Sequence, residues 1–542
     1  MILIRLLLVG ILLTACHPET SETPESVAPG SGQPPNILLI VADDLGYTDL
    51  GAFGSEIPTP NLDGLAYSGI RFTNFHTASW CQPTRAMLMT GAGAVETIEE
   101  LPRLETGNRN NVLRKDWANM AELLQDAGYQ TFMAGKWDLG LEDQYRVVES
   151  GFDRSFALLE GGGSHFAEFF WGERLYYEDE GRRLTLGDLP EDFYSTEFYT
   201  TRMLEYIESA DGDRPWFGYL PYTAPHWPLQ VPDDWLDRHA GKYDEGYDVL
   251  RRDRMRRAAA LRVMPEGADP VGFTPVAPPW DALSEALQQK YSRAEEIYAS
   301  MIEYMDMSIG RIVDHLESTG ALDNTIVVFM ADHGASAAWH GIGPVVFPIE
   351  ESMDNRLENF GRAGSFIDKG VGFGEAASAP LRYYKSSAYE GGIRAATIIR
   401  YPGLRGNGRS KGWLLSAMDL LPTFLEAAGT SHPGASEFRG RSIREIRGRS
   451  FWNDLVTGEP SDRSDYEIGL TRGMGGSLIR GRYKIINQPP PSSESSLARA
   501  VAEPTPWRLY NIADDPSETT DLAADYPELV EEMVRRWESE WK

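Results

Sequence analysis

Two apolar runs, each closing on a pair of chemically active residues, constrain this chain more than any other feature. "PNILLIVADD" (Pro35 to Asp44) and "TIVVFMADHG" (Thr325 to Gly334) stay apolar for the length of a strand and then turn acidic. A strand without polar alternation has both faces buried, as in the centre of a parallel sheet covered by helices. Helical patterns lie between such runs. Trp117, Met120, Ala121 and Leu124 recur at helical spacing after Asp116, an expected N-cap, and Gly128 stops that helix before "YQTFMAGKW". "RMLEYIES" feeds "PWFGYL", and Ile297, Met301, Met305, Ile309, Ile312 and Leu316 stripe a long helix ended by Gly320. The alternation predicts a large, doubly wound, mostly parallel α/β sheet. Ligands of such sheets bind outside the carboxyl ends of the strands.

The two ends of the chain read differently. "MILIRLLLVGILLTAC" has one early positive charge, Arg5, and an apolar run that stops at Ala15 and Cys16. That run is shorter than the ~20 residues a spanning helix needs, and it reads as an export signal over residues 1–16. "LTAC" resembles the lipobox of bacterial lipoproteins, so Cys16 is expected to carry lipid and tether the protein to the periplasmic side of a membrane. A plain signal peptide, leaving a soluble periplasmic protein, is the alternative. Residues 17–35, rich in Pro, Ser, Thr and Glu, form the expected flexible linker. Residues 36–434 are expected to form the catalytic domain. In residues 435–542, "YEIGL", "SLIRGRYKII" and "WRLYNIADDP" read as short strands and "YPELVEEMVRRWESEW" as an amphipathic helix, a small α+β domain.

With 51 Lys+Arg against 81 Asp+Glu, the formal net charge is -30. Nucleic acid, whose backbone needs a positive surface, is not an expected partner. An anionic substrate would have to be drawn by a local cationic pocket. The basic run "RRDRMRR" (Arg251 to Arg257) reads as a solvated helix face.

Asp43 and Asp44 end one apolar run, and Asp332 and His333 end another, so both pairs are expected at one crevice. Carboxylates gathered there repel unless a cation sits between them, and hard oxygen donors favour Ca²⁺ or Mg²⁺. Cys81 is one of only 2 cysteines. With Cys16 committed to lipid it has no disulfide partner, which is unusual in an oxidising compartment. In "ASWCQPTRAMLMTG", Pro83 suits the first turn of a helix, and Arg85 shares a helix face with Cys81. The N-terminal N–H groups of that helix would favour an anion. A buried small hydrophobe is the alternative for a lone cysteine.

The segment also matches C-x-P-[ST]-R, and through it the chain resembles the sulfatase family. The likeness continues in "ILLIVADDLGYTDLG", "AGKWDLG", "TAPHWPLQ", "ADHGA", "APLRYYKSSAYEGGIRAATIIRYPG" and "LYNIADDPSETTDLA", over roughly residues 36 to 530. It is most similar to the bacterial alkyl- and aryl-sulfatases of the alkaline phosphatase superfamily. The resemblance implies an alkaline phosphatase-like fold and hydrolysis of small sulfate monoesters. It implies that a formylglycine-generating enzyme converts Cys81 to formylglycine, whose hydrated aldehyde offers a metal-activated hydroxyl as nucleophile. By the same likeness Asp43, Asp44, Asp332 and His333 match metal ligands, completed by residue 81, with Ca²⁺ expected ahead of Mg²⁺. Arg85, Lys136, His226 and Lys385 match groups that hold sulfate oxygens, and the last two also protonate the departing oxygen. One position departs from the pattern. "GKWDLG" places Asp138 where the family carries a histidine that assists deprotonation of the formylglycine hydroxyl. Asp138 either replaces that base or shifts substrate choice or disables the site. A phosphodiester or phosphonate monoester hydrolase, or a degenerate sulfatase that binds sulfated glycans, are the rival readings.

Overall fold

The computed structural model describes residues 34–102, 110–168, 176–264, 268, 277–342, 351–472, 475–490 and 504–542. The export signal, Cys16 and the linker up to residue 33 lie outside the described residues. Among the described residues no helix is long and apolar enough to cross a membrane.

The main sheet has ten strands. In chain order they are β1 (Asn36–Ala42), β2 (Ile70–Phe72), β3 (Gln130–Lys136), β4 (Arg154–Leu158), β5 (Tyr177–Asp179), β6 (Arg182–Arg183), β7 (Trp216–Pro221), β8 (Thr325–Ala331), β9 (Thr397–Arg400) and β10 (Ser410–Lys411). Their spatial order is β10-β2-β9-β8-β1-β7-β3-β4-β5-β6. The central strands β8, β1, β7, β3 and β4 run parallel, and antiparallel strands flank them on both sides. As expected from their unbroken apolarity, residues Ile37 to Ala42 of β1 are 0% exposed.

The helices that matter for the site are α1 (Cys81–Thr90), α2 (Met120–Asp126), α3 (Ser195–Glu208), α4 (Tyr247–Ala260), α5 (Glu285–Ser318) and α6 (Pro527–Glu540). α3 packs on β3 and β7, and α5 packs on α3. The predicted stripe of α5 is fully buried from Ile297 to Leu316, and each such side chain stabilises the fold by about 1.5–3 kcal/mol. Ser284 caps the start of α5, and Gly320 follows its end at φ 72°. The C-terminal domain is an antiparallel meander of β11 (Glu467–Arg472), β12 (Gly475–Arg480), β13 (Tyr483–Ile486) and β14 (Arg508–Asn511), with α6 laid across β12 and β13.

Two local expectations are corrected. Asn119, not Asp116, caps α2, in a reciprocal box with Glu122. Asp116 instead pairs with Arg114 and Arg444. The basic run of α4 is a solvated face only at Arg252 and Arg256, while Arg251 and Arg254 are buried. Helical periodicity turns Leu250, Arg254 and Ala258 inward together, and Arg254, 0% exposed, pairs with Asp49 at 2.5 Å and Glu56 at 2.8 Å. Arg254 is the nearest counter-charge of both acids, with Arg257 3.0 Å from Glu56 and Lys369 3.9 Å from Asp49 as further partners. Burial would raise the pKa of Glu56, but Arg254 outweighs it and brings it down to about 2.

Glu295 on α5 borders this network, 3.8 Å from Arg254 and 3.9 Å from Lys369. Neither of its carboxylate oxygens has a hydrogen-bond partner. Burial pushes its pKa up to about 7, although Lys369 and Arg254 pull the other way. The folded state therefore holds a proton that the unfolded chain has released, and this residue costs stability as pH rises from the ordinary glutamate range through 7. Glu295→Gln is expected to raise thermal stability at pH 8 by about 1–3 kcal/mol and to change little at pH 5. Thermal melts at both pH values check this, and an equal shift at both would contradict it.

Candidate active site

The carboxyl ends of the parallel strands deliver the polar residues. Ala42 and Ala331 are direct partners in β1 and β8, so Asp43 and Asp332 emerge side by side. The Asp332 N–H donates to Ala42 O at 3.0 Å, and the Asp44 N–H to the Asp332 carboxylate at 3.3 Å. Asp44 takes the left-handed backbone at φ 66°, which turns the chain back over the strand ends. β3 ends on Lys136, and His226 follows β7. Gly135 makes the delivery of Lys136 possible: at φ 138°, an added Cβ would meet Pro221 O at 2.0 Å.

α1 starts at Cys81, as the pattern predicts, with Pro83 in its first turn. The Cys81 Sγ lies 3.2 Å from His333 Nε2 and 3.5 Å from an Asp43 oxygen. On the same face, Arg85 reaches Asp43 at 3.5 Å and Asp332 at 3.4 Å, and donates to Lys136 O at 3.0 Å. Lys136 pairs closely with Asp43. Lys385 lies 2.5 Å from Asp44, and His226 Nε2 lies 3.5 Å from the other Asp44 oxygen. Asp43, Asp44, Arg85, Lys136, Asp332 and His333 are 0% exposed, while Lys385 is 8% exposed.

Burial and charge pull these groups apart. Burial would raise the pKa of Asp43, yet Lys136, His226, Arg85 and Lys385 together hold it well below the carboxylate range. Burial pushes Asp44 up to about 7 against the pull of Lys385, and burial with the Asp43 charge pushes Asp332 up to about 8. Burial and Lys385 keep His226 and His333 well below the usual imidazole range. Lys136 and Lys385 pay desolvation but are raised by Asp43 and Asp44. The Cys81 thiol is pushed well up by burial and Asp43.

The donor set fits a hard divalent cation. Ligand atoms of Asp43, Cys81, Asp332 and His333 lie within 4.8 Å of one another, as do those of Asp43, Asp44, Cys81 and His226. Asp44 Oδ2 is buried without a hydrogen-bond partner. Such an oxygen is costly unless it is ligated, and buried lysines compensate these acids only in part.

Asp138 sits at the rim. Its backbone takes the left-handed region at φ 56°, and its carboxylate comes to 3.9 Å from Lys136 Nζ. Burial raises its pKa, with Lys136 and Arg85 opposing. The candidate catalytic and metal-ligating residues named from the sequence thus surround one crevice. Sequence reasoning missed the tier behind it. Tyr298 of α5 lies 3.1 Å from Asp44 O and 2.6 Å from Asp49, and its place beside the apolar stripe hid it. Trp80, 37% exposed, caps α1 from the solvent side, with Lys385 Nζ 5.4 Å above its ring.

A sulfatase family model matches residues 35–430. An uncharacterized sulfatase of Schizosaccharomyces pombe is 38% identical over 531 residues, covering 93% of this chain and 92% of its own. An arylsulfatase of Klebsiella aerogenes is 35% identical over 413 residues, covering 73% of this chain and 87% of its own. Among solved structures, the crystal structure of Ps i-CgsB in complex with k-i-k-neocarrahexaose shares the fold, with a TM-score of 0.65 and 24% identity over 94% of this chain and 92% of that one. The matched region holds the strand ends, the start of α1 and the loop that carries Lys385, so the chain belongs to the sulfatase family of the alkaline phosphatase superfamily and is a sulfuric ester hydrolase.

Proposed function

We propose that this protein hydrolyses aryl and alkyl sulfate monoesters with a formylglycine made from Cys81 as nucleophile. The observation that carries this reading is the placement of residue 81. It opens a helix at the crevice where Asp43, Asp44, Asp332 and His333 meet Arg85, Lys136, His226 and Lys385. Asp43, Asp44, Asp332 and His333, with residue 81, would hold a divalent cation, Ca²⁺ ahead of Mg²⁺ because Ca²⁺ tolerates the irregular geometry of so crowded a donor set. Bound there, the cation lowers the pKa of a hydroxyl and offsets charge on sulfate oxygen.

The chain's own residues do the rest. Arg85 and Lys136 bind and orient the sulfate in a water-poor pocket where charge-assisted hydrogen bonds are strong. Lys385 faces the other side of Asp44 with His226 beside it, and the Lys385 ammonium is suited to donate to the oxygen of the departing alcohol. The exposed Trp80 ring beside Lys385 offers an apolar surface to that alcohol, which favours aromatic or other ring-bearing leaving groups. Maturation requires a formylglycine-generating enzyme, and the lipobox-like "LTAC" supports a tether at the periplasmic face of a membrane, with a soluble periplasmic protein as the alternative.

Initial rates on 4-nitrophenyl sulfate and 4-nitrophenyl phenylphosphonate test the reaction, and faster cleavage of the phosphonate would overturn it. The mass of the tryptic peptide containing residue 81 tests the maturation. Conversion replaces sulfur by oxygen and removes two hydrogens, and a peptide of unaltered mass from active protein excludes formylglycine.

Asp138 is proposed as the base of the sulfate-releasing step. An ordinary carboxylate, with a pKa of about 4, is a weaker base than imidazole, and burial pushes Asp138 upward from that range against the pull of Lys136 and Arg85. Asp138→His is expected to raise kcat on a good aryl sulfate severalfold, on the order of 2- to 10-fold, while a poor alkyl substrate responds less. Stopped-flow traces decide: a nitrophenol burst in the wild type that shrinks in the variant supports the base role. No burst, with a lower kcat in the variant, assigns Asp138 to substrate recognition.

A further inference from the structure

Lys385 sits in a loop that is unfavourable on its own. Tyr383 and Ser386 take the left-handed region, at φ 62° and 72°, where a residue with a side chain costs about 1–3 kcal/mol and persists only if its surroundings over-determine it. One side of that determination comes from the catalytic domain. The Ser386 N–H donates to Ser79 O at 2.7 Å, two residues before Cys81, and the Lys385 N–H to Ala335 O at 3.0 Å.

The other side comes from the C-terminal domain. Gln488, just past β13 and 5% exposed, grips the loop with both ends of its carboxamide. Its Oε1 accepts from the Ala388 N–H at 2.5 Å, and its Nε2 donates to Ser386 O at 3.1 Å. Its own carbonyl accepts from Arg508 at 2.9 Å. Behind it, Lys484 of β13 pairs with Glu390 and Glu518, both at 2.9 Å and all three fully buried. The Glu390 N–H donates to Glu518 at 2.8 Å, and the Glu390 carboxylate meets His76 at 3.0 Å, on the segment that leads to Cys81.

We propose that the C-terminal domain completes the active centre: Gln488, backed by Lys484 and Glu518, is a positioning residue that fixes Lys385 toward the departing oxygen of the substrate. Gln488 touches no substrate; it acts through the backbone on both sides of Ser387. The proposal rests on the reading of Lys385 as donor to that oxygen. A 4-nitrophenolate leaves with little help, whereas an alkoxide needs the proton, so mispositioning of Lys385 must discriminate between the two.

The test is Gln488→Met, which keeps the volume and removes both hydrogen bonds. We expect kcat/KM for an alkyl sulfate to fall by about 10²-fold and for 4-nitrophenyl sulfate by less than about threefold. Amide hydrogen exchange of residues 383–390, read by mass spectrometry, should quicken by at least about tenfold while β1 and β8 stay protected. Trp537→Phe, which loosens the C-terminal domain at its bond to Leu470 O without removing either bond of Gln488 to the loop, should not separate the two substrates. Should Gln488→Met fail to fold, Gln488→Glu keeps the acceptor for Ala388 and loses the donor to Ser386, and is expected to show a smaller split in the same direction. Unchanged exchange at 383–390, an equal loss on both substrates, or the same split in Trp537→Phe overturns the proposal. A wild-type protein that cleaves no sulfate ester overturns the proposed function instead, and the exchange experiment then decides the brace alone.

Discussion

Cys81→Ala is expected to reduce turnover of any sulfate ester by at least about 10³-fold while the protein stays folded. The side chain is 4% exposed and contacts the polar groups of the crevice, His333 and Asp43, rather than filling the apolar core. Its removal should cost less than about 1.5 kcal/mol. Nothing else at the crevice replaces it, since Asp43, Asp44 and Asp332 hold charge for a cation and Arg85, Lys136 and Lys385 are cations themselves. Cys81→Ser separates attack from release. A serine hydroxyl can accept the sulfuryl group once but has no second hydroxyl with which to expel it. We expect one equivalent of nitrophenol or less and then arrest. Continuous turnover by the serine variant, or residual activity above a tenth of wild type in the alanine variant, would sink the assignment of residue 81 as nucleophile. Circular dichroism and the melting temperature confirm that the fold is retained.

Exhaustive chelation is expected to abolish activity and to lower the melting temperature by several degrees. Three carboxylates and two imidazoles meet in one buried crevice, and one oxygen of Asp44 has no hydrogen-bond partner. A cation that binds only the folded state stabilises it by about 2.7 kcal/mol when present at a hundred times its dissociation constant. Without it, Lys136 and Lys385 remain the main counter-charges for Asp43 and Asp44. Adding back Ca²⁺ should restore both activity and melting temperature at lower concentration than Mg²⁺. The six-fold, small-radius preference of Mg²⁺ fits a crowded set of carboxylates and imidazole less well. Activity and stability both unaffected by chelation would show that the cluster is held by its own ion pairs.

The α/β plan was legible because β1 and β8 are apolar throughout, and burial on both faces demands that pattern. Glycine marked the helix ends correctly at Gly128 and Gly320 because a left-handed turn there is cheap only without a side chain. The convergence of Asp43 with Asp332 and of Cys81 with Arg85 was also legible, from strand ends in one case and helix spacing in the other. The cap of α2 was readable but misassigned: Asn119 is followed three residues later by Glu122, which forms the reciprocal box that Asp116 lacks. Arg254 could not be assigned from its neighbours, since local composition describes a charged helix and only the packed position of Asp49 and Glu56 gives Arg254 a buried partner.

What the sequence by itself determined is therefore local and periodic: the acid-tipped strands, the helix that opens on Cys81, and the departure at Asp138. The tertiary structure alone decided which distant groups share a buried hydrogen bond. Gln488 meets Ser386 across 102 positions of chain, and Lys484 meets Glu390 across 94. Neither spacing leaves a trace in composition or periodicity. A buried amide or ammonium is stable only beside its partner, and that partner is supplied by the docking of one domain on the other.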